Sequence, residues 1–325
     1  MEMTGEEYLQ GQNKNQVTGN YLDSGSSKPS FISILTLDRL SLTERAVNSI
    51  LKNSSEDVRM IFLDNGSKDN TLNYLHDLRF DYPNRVTVLE SDVNLGVAGG
   101  RNKVFEYILS KYGDNFNWIL NLDNDCLVHK GYDEAITHSI LEEGAEVVCP
   151  KLIQPDGSPF YNANMGFMID LQKNKLKLEY ETNDKDNPQK RSGISRLETD
   201  VILGTSAKTP GFFQKVGFYD EGHKIGWEDF SVSLKSLGLT KKSFDKWREE
   251  RVNQEGWIPL KELINGQAQP LVKIIFEPDC LITHDHPMTE EFMDYEAIRR
   301  KKSTIKDSTD HFESVWGVRP VSRRD

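Results

Sequence analysis

The chain is poor in cysteine and has no long hydrophobic run. Its three cysteines, Cys126, Cys149 and Cys280, are widely spaced among 325 residues and form no paired ligand motif. This argues against a disulfide framework or a cysteine-based zinc site and favours a reducing, cytoplasmic location. No apolar segment approaches the roughly 18 residues that are needed to cross a bilayer. The basic run at 299–302 leaves peripheral contact with the inner face of a membrane open as an alternative.

Positive charge is scarce relative to negative charge. The chain has 40 Lys and Arg residues against 51 Asp and Glu residues, which gives a formal net charge of −11. An acidic balance disfavours nucleic acid as a partner, because nonspecific binding to nucleic acid requires a basic face. Residues 1–29 are rich in small and polar types and contain no apolar core. We therefore predict a disordered N-terminal arm there rather than a secretory signal.

Two sequence signatures of nucleotide chemistry are also absent. The Gly-rich segment 94–102 places its glycines at Gly96, Gly99 and Gly100, so the G-x-G-x-x-G pattern is missing, and no Walker lysine follows. A dinucleotide-dependent hydride transfer and the chemistry of a P-loop enzyme both lose support.

Strand-like and helix-like patterns alternate along the first half of the chain. This rhythm indicates βαβ units and an α/β fold with a Rossmann-like, mostly parallel sheet flanked by helices. The predicted strands span 31–37, 58–63, 86–89 and 118–122, and the predicted helices span 42–51, 72–80 and 103–112. In the second half, the sequence predicts a hairpin of 166–171 with 175–180, followed by a weakly structured loop at 181–196. The further predicted strands span 201–206 and 272–276, and the further predicted helices span 209–216 and 230–239. A polar helical region is predicted at 241–265 and C-terminal helices at 295–316.

The strand at 118–122 runs directly into two carboxylates, Asp123 and Asp125, which are separated by one residue. Open α/β sheets bind ligands at the carboxyl ends of their strands. Two like charges this close require a cation, and Mg²⁺ or Mn²⁺ that also bridges phosphates suits them. The alternative interpretation is a solvated turn in which Asp123 caps the next helix. The turns that begin at Thr36 and Asp64 follow two other strands, and we expect all of them to converge in one cleft.

These motifs, taken together, resemble the family-2 glycosyltransferases of the GT-A fold. The resemblance rests on their order and spacing and covers about residues 31–290. The matching features are Thr36 after the first strand, the turn at 64–71, the segment 94–102, the Asp123 and Asp125 pair, the acceptor-side segments 216–221 and 226–229, and His284 after a late strand.

For the donor, the resemblance implies a UDP-sugar. Asp64 would hydrogen-bond the uracil ring, and Thr36 would line the nucleoside pocket. Arg101 and Asn102 would lie against the base, ribose or diphosphate, and Gly99 belongs to the same cofactor-binding set. An aromatic residue followed by Asn is common in this family after the first strand, and its absence here leaves the contacts to the base undecided.

The resemblance also implies a Mn²⁺ or Mg²⁺ ion on the diphosphate of the donor. Asp125 would bind the metal, while Asp123 would hold the ribose and sugar and contribute to the metal site. His284 would complete the metal site, with His286 as a less favoured substitute.

On the acceptor side, the resemblance assigns three consecutive residues to the reaction. Asp229 would be the general base that deprotonates the acceptor hydroxyl, Glu228 would orient the acceptor, and Trp227 would form a wall that stacks on a sugar. One base and a single displacement give inversion at the anomeric carbon. An ordinary helix N-terminus that favours carboxylates is the alternative interpretation of these residues.

We therefore predict a metal-dependent inverting glycosyltransferase of hexosyltransferase type that uses a UDP-sugar. The predicted acceptor is a glycan of bacterial surface type, while lipid-linked and protein acceptors and a homodimer stay open. A nucleotidyltransferase would need a Gly-rich loop with a basic residue after the first strand, which the segment from Thr36 to Arg39 lacks. A catalytically silent carbohydrate-binding protein of the same fold is the other alternative, and the joint presence of the acidic and histidine motifs argues against it.

The sequence further predicts three regions. They are the arm at 1–29, a glycosyltransferase domain at 30–290 and a C-terminal helical extension at 291–325. Within the domain, 30–127 would bind the nucleotide and 128–290 would bind the acceptor. A polar insertion near 241–270 has no assigned role.

Overall fold

The computed structural model describes residues 28–160, 165–180, 195–264, 269–286 and 301–321. Within these ranges the strands are β1 Ser30–Thr36, β2 Val58–Asp64, β3 Val86–Glu90, β4 Ile119–Asp123, β5 Cys126–Val128, β6 Val147–Ile153, β7 Met165–Asp170, β8 Lys175–Tyr180, β9 Leu197–Glu198, β10 Ser206–Lys208, β11 Ile258–Pro259, β12 Ile274–His284 and β13 Arg319–Pro320. The helices are α1 Leu40–Asn53, α2 Thr71–Asp81, α3 Gly96–Tyr112, α4 Tyr132–Glu143, α5 Pro210–Lys215, α6 Glu228–Ser236, α7 Lys241–Glu250, α8 Leu260–Ile264 and α9 Lys302–Trp316.

A large central sheet has the strand order β3-β2-β1-β4-β10-β6-β12-β5, and β9 pairs with β12. Strand β1 lies parallel to β2 and β4, and β2 lies parallel to β3, as βαβ units require. Strand β12 is parallel to β6, while β10 lies between β4 and β6 and runs antiparallel to both. The mostly parallel sheet flanked by helices that the sequence predicts is confirmed.

Local sequence explains why the first half packs in this way. Helix α1 buries Leu42, Ala46, Val47 and Ile50, whose spacing places them on one face of an α-helix. Helix α3 begins inside the Gly-rich segment, seven residues earlier than predicted. A Cβ atom on Gly100 would lie 3.0 Å from a methyl carbon of Leu35, so the glycine allows this helix to pack closely against β1.

The second half departs from the sequence prediction at two places. Residues 201–206 do not form the predicted strand, because the backbone of Ile202 bonds to the Ser233 hydroxyl instead, and β10 begins only at Ser206. The predicted polar helical region at 241–265 contains two helices, α7 and α8, with a turn and strand β11 between them. Helix α7 ends at Glu250, and Gly256 has a φ of 78° shortly before β11 pairs with β7.

A smaller sheet of order β11-β7-β8-β13 contains the predicted hairpin, with Asn174 in its turn at a φ of 53°. Strand β13 brings the chain back to β8 after helix α9. Among the described residues, no helix is both long and apolar enough to cross a membrane. The predicted N-terminal arm, most of the loop 181–196 and the first part of the predicted C-terminal helices lie outside the described residues. The boundaries proposed for the three regions stay predictions.

Candidate active site

A cleft of about 330 Å³ runs along the carboxyl edge of the first strands. Register explains its position, because Thr36 pairs with Asp64 across β1 and β2, and Leu35 pairs with Asp123 across β1 and β4. Polar residues that follow these strands therefore meet at one edge, as the sequence predicts. Residues at the start of α6 approach the cleft from the opposite side.

On the strand side of the cleft, Asp125 is surrounded by cationic and imidazole groups. Its Oδ2 atom lies 2.8 Å from Nδ1 of His286 and 3.1 Å from the Arg39 guanidinium. Its Oδ1 atom lies 3.7 Å from Nε2 of His284. Burial alone would raise the pKa of Asp125, but the hydrogen bond with His286 and the charges of Arg39 and His284 hold it well below its usual range. Asp125 is therefore ionised at neutral pH.

This cluster suits a divalent cation. Ligand atoms of Asp123, Asp125, Cys126 and His284 lie within 4.8 Å of one another, and Oδ1 of Asp125 is buried without a hydrogen-bond partner among the described residues. Burial, and then the charges of Asp125 and Asp123, raises the pKa of the Cys126 thiol well above its usual value. Because a protonated thiol is a poor ligand for Mg²⁺ or Mn²⁺, the fitting donor set consists of the two carboxylates and His284.

Arg101 links the two sides of the cleft. Its guanidinium lies 3.3 Å from Asp123 and 3.5 Å from Asp229, and it packs 5.6 Å from the centre of the Tyr219 ring. Burial opposes its charge, but Tyr219 and the two carboxylates raise the pKa of Arg101. A Cβ atom on Gly204 would lie 3.1 Å from this guanidinium and 3.2 Å from Oδ2 of Asp229, so Gly204 leaves room for the pair.

On the helix side, Glu228 and Asp229 occupy the first turn of α6, where the helix dipole favours negative charge. The Asp229 side chain lies deep in the cleft, with 31% of its surface exposed to it. Burial is the main cause that raises the pKa of Asp229 to about 7, and the charge of Glu228 adds to it against the opposing effect of Arg101 and Lys208. A carboxylate of this kind can exchange a proton near neutral pH.

Most of the residues that the sequence singles out meet in this cleft. Seven of them line it: Thr36, Arg101, Asp123, Asp125, Glu228, Asp229 and His284. Four others do not line it: Asp64, Gly99, Asn102 and Trp227.

Each of the four residues outside the lining has structural contacts. The Asp64 carboxylate accepts hydrogen bonds from Thr36 and from two backbone amides of its own turn. Asn102 exchanges hydrogen bonds with the backbone of Tyr219 at 2.9 and 3.0 Å. Gly99 packs beside residues 95 and 221. The Trp227 indole donates a hydrogen bond of 2.9 Å to the Thr309 hydroxyl. Their proposed roles in binding the substrates remain predictions.

Two basic residues that influence the site could not be predicted from the sequence: Arg39 lines the cleft, and Lys208 acts on Asp229 through its charge. Arg39 is part of a loop in which Asp38 and Arg39 both have positive φ angles, of 55° and 62°. Residues other than glycine rarely adopt this conformation, so the local sequence does not predict it. Lys208 is fully buried on β10, and burial, followed by the charge of Arg101, lowers its pKa to about 7. The sequence predicts no strand over 207–208, between the strand at 201–206 and the helix at 209–216, so it offers no signal for this burial.

Comparison with known proteins agrees with this fold and cleft. The family model described as Glycosyl transferase family 2 matches residues 32–197, half of the chain. The chain therefore belongs to the family-2 glycosyltransferases and is an enzyme of that class. The match ends before Glu228, Asp229 and His284, so the family model alone does not cover the acceptor side of the cleft.

A solved structure supports the same fold. The structure of GalNAc-T7 with UDP, GalNAc and Mn²⁺ superposes with a TM-score of 0.53 and 17% identity, and covers 81% of this chain. The likeness spans 44% of the GalNAc-T7 chain, less than half of its length. S. aureus TarS, residues 1–349, superposes with a TM-score of 0.49 and 13% identity over 88% of this chain and 72% of that chain. A search among curated proteins gives no match.

Proposed function

We propose that this glycosyltransferase moves a sugar from a UDP-sugar to a hydroxyl group of an acceptor, with the help of a divalent metal ion and with inversion at the anomeric carbon. The observation that carries the proposal is the placement of two unlike carboxylates in one cleft. Asp125 has its pKa held low beside histidines, while Asp229 has a pKa raised to about 7 on the other side of Arg101.

The strand side of the cleft is the proposed donor site. Asp125, Asp123 and His284 would hold the metal, and Thr36 and Asp64 would lie toward the nucleoside. A metal ion bound here would act as a Lewis acid that neutralises the charge developing on the diphosphate leaving group. The presence of UDP and Mn²⁺ in GalNAc-T7, which shares the fold, supports this choice of donor and ion.

The helix side of the cleft is the proposed acceptor site. A sugar hydroxyl is a poor nucleophile near neutral pH, so a positioned base must take its proton during the attack. Asp229 suits that role because its raised pKa matches the operating pH, and the buried charge of Arg101 stabilises the carboxylate when it is ionised. Glu228 would orient the acceptor. Attack by one activated hydroxyl in a single displacement inverts the anomeric carbon.

The proposed acceptor is a glycan of bacterial surface type, placed over the start of α6 where Trp227 precedes the two carboxylates. The proposed location is the cytoplasm. The three free and buried cysteines suit a reducing compartment.

The test is a donor screen. UDP-, GDP- and TDP-sugars are incubated with the protein, with and without Mn²⁺ or Mg²⁺, and release of the nucleoside diphosphate is followed together with the anomeric configuration of the product by NMR. We expect metal-dependent release from a UDP-sugar only, with inversion. Asp229→Asn should slow it by about 10³-fold, whereas Asp114→Asn, at an exposed aspartate before β4, should not change it. Retention of configuration, or release that needs no metal, would contradict the proposal.

A further inference from the structure

A second cluster of metal-ligating side chains lies outside the cleft, between the segment that follows α5 and helix α9. Ligand atoms of Asp220, His223 and His311 all lie within 4.8 Å of one another. Nε2 of His311 lies 2.7 Å from Oδ2 of Asp220, and Nε2 of His223 lies 3.8 Å from the same oxygen. The two imidazole rings stand nearly perpendicular, at 79°, with their centres 4.9 Å apart.

His223 is the least satisfied member of this cluster. Its side chain is fully buried, yet neither ring nitrogen has a partner in hydrogen-bonding geometry among the described residues. The backbone of Ser308 offers the ring a hydrogen bond, but one of poor geometry that leaves the imidazole without a well-formed partner. Burying an imidazole without partners is costly, and buried polar groups in folded proteins are nearly always satisfied. A bound cation would remove this cost, and the second nitrogen would then face the Ser308 backbone, as ligating histidines commonly do.

The surroundings hold the three side chains against one another. A Cβ atom on Gly222 would lie 2.1 Å from Nε2 of His311, so only glycine at this position leaves room for the imidazole. The hydroxyl of Ser308 accepts hydrogen bonds from the backbone amides of Lys224 and Ile225 at 3.2 and 3.3 Å. These contacts fix helix α9 to the 220–225 segment independently of any ion, which is the preorganisation that a metal site requires.

The donor set favours a first-row transition metal. Two imidazole nitrogens and one carboxylate suit Zn²⁺, whereas Mg²⁺ prefers oxygen ligands alone. Zn–N and Zn–O bonds of about 2.0–2.1 Å place ligand atoms roughly 3.3 Å apart in a tetrahedron. The observed separations of 2.7 and 3.8 Å lie on either side of that value. Asp220 and His311 are 21% and 32% exposed, so water can reach the fourth position and an ion can enter.

We infer that Asp220, His223 and His311 form a zinc-binding site that fastens helix α9 to the segment leading into the catalytic turn of α6. The indole of Trp227, which directly precedes that turn, is also hydrogen-bonded to α9 through Thr309. Zinc bound here would therefore position the acceptor side of the cleft from outside it. The inference does not depend on which sugar nucleotide the enzyme uses.

The experiment measures zinc binding by the full chain when the cleft is disabled. Asp125→Asn serves as the background. The protein is stripped with a chelator, loaded with Zn²⁺, passed through a desalting column and analysed for metal content and melting temperature. We expect one zinc ion per chain and a raised melting temperature. Adding His311→Gln should remove both, and adding His138→Gln, an exposed histidine on α4, should change neither.

Three results would overturn the inference. They are an unchanged zinc content after His311→Gln, no retained zinc in the Asp125→Asn background, and loss of zinc in the His138→Gln control. Circular dichroism checks that the His311 variant is folded. If it is not, Co²⁺ replaces Zn²⁺ in the Asp125→Asn background. Intense visible absorption of four-coordinate cobalt supports the site, and its absence overturns it.

Discussion

The two sides of the cleft place their carboxylates in different charge environments, which shift the pKa in opposite directions. On the strand side, Asp125 is in contact with His286 and Arg39, which hold its pKa well below the usual range despite burial. On the helix side, Asp229 follows another carboxylate in sequence, and its pKa is raised to about 7. The two carboxylates therefore differ in protonation because their neighbouring charges differ, although Asp125 is the more deeply buried of the two.

This contrast separates two kinds of chemistry. A carboxylate that stays ionised at every working pH is suited to hold a cation. A carboxylate with a pKa near neutrality is suited to accept a proton from a substrate and to release it afterwards. Arg101 contacts both sides, at 3.3 Å from Asp123 and 3.5 Å from Asp229. Its positive charge offsets the electrostatic repulsion between the carboxylates on the two sides of the cleft.

The largest expected effect is on the strand side. Asp125→Ala removes the carboxylate at the centre of the metal cluster and should lower the rate of sugar transfer by about 10⁴-fold, since a catalytic metal contributes several kcal/mol to stabilising the leaving group. The measurement is the initial rate of UDP release with saturating Mn²⁺. Asp114→Ala, at an exposed position, is the control and should keep full activity. A variant at Asp125 that retains activity would remove this residue from the donor site.

The next largest effect is on the helix side. Asp229→Asn keeps the shape of the side chain but cannot accept a proton, so the rate of transfer should fall by about 10³-fold, as is typical when a general base is removed. The binding of UDP in the presence of metal should be unchanged, since Asp229 does not belong to the metal cluster. If this substitution weakens UDP binding by as large a factor as it slows turnover, the assignment of separate functions to the two sides of the cleft is wrong.

Arg39 tests why the strand side differs. Arg39→Gln leaves Asp125 buried without its guanidinium partner, and breaking a buried ion pair in this way costs about 3–5 kcal/mol of unfolding free energy. Thermal unfolding of metal-free protein should show this loss, and Mn²⁺ should restore more stability to the variant than to the wild type. Arg45→Gln, on the exposed face of α1, removes a surface ion pair with Asp285 and should change stability little. Equal melting temperatures for both variants would contradict the role of Arg39.

The smallest effect is a pH dependence that belongs to the helix side. Asp229 must be ionised to act as a base, so kcat/KM should rise with pH through about 7, by about tenfold from pH 6 to pH 8. The same raised pKa favours folding with the protonated form, so its contribution to stability is full below about pH 4 and is lost as pH rises through 7. Asp229→Asn should therefore gain stability relative to the wild type as pH increases. A flat profile for kcat/KM would exclude Asp229 as the titrating base.

The convergence of polar residues on the strand side of the cleft could be predicted from the sequence, because it depends on local strand patterns. Parallel strands place their carboxyl ends at one edge, so Asp123 after a buried strand and Thr36 after another had to meet. The sequence pattern starts this helix at 230, two residues after α6 begins at Glu228, so Glu228 and Asp229 are indicated by their motif and not by a helical pattern. The family match and the sheet topology confirm the class of enzyme and the fold that these motifs indicated.

The contacts that tune the site were not predictable, because they join residues far apart in sequence. Arg39 reaches Asp125 from a loop with two consecutive positive φ angles. His286 lies nearer to Asp125 than His284 does, since the chain continues past β12 and the amide of Asp285 bonds to the carbonyl of Asp125 at 2.8 Å. The family resemblance favours His284 over His286 as a metal ligand, so it does not predict this closer contact.

The central claim is that the two sides of the cleft carry separate functions. Calorimetric titration of UDP into the wild type, Asp125→Ala and Asp229→Asn, each with and without Mn²⁺, tests it most directly. We predict metal-dependent binding of equal strength in the wild type and in Asp229→Asn, and its loss in Asp125→Ala. Binding that does not require metal, or that disappears in Asp229→Asn while surviving in Asp125→Ala, would contradict the account.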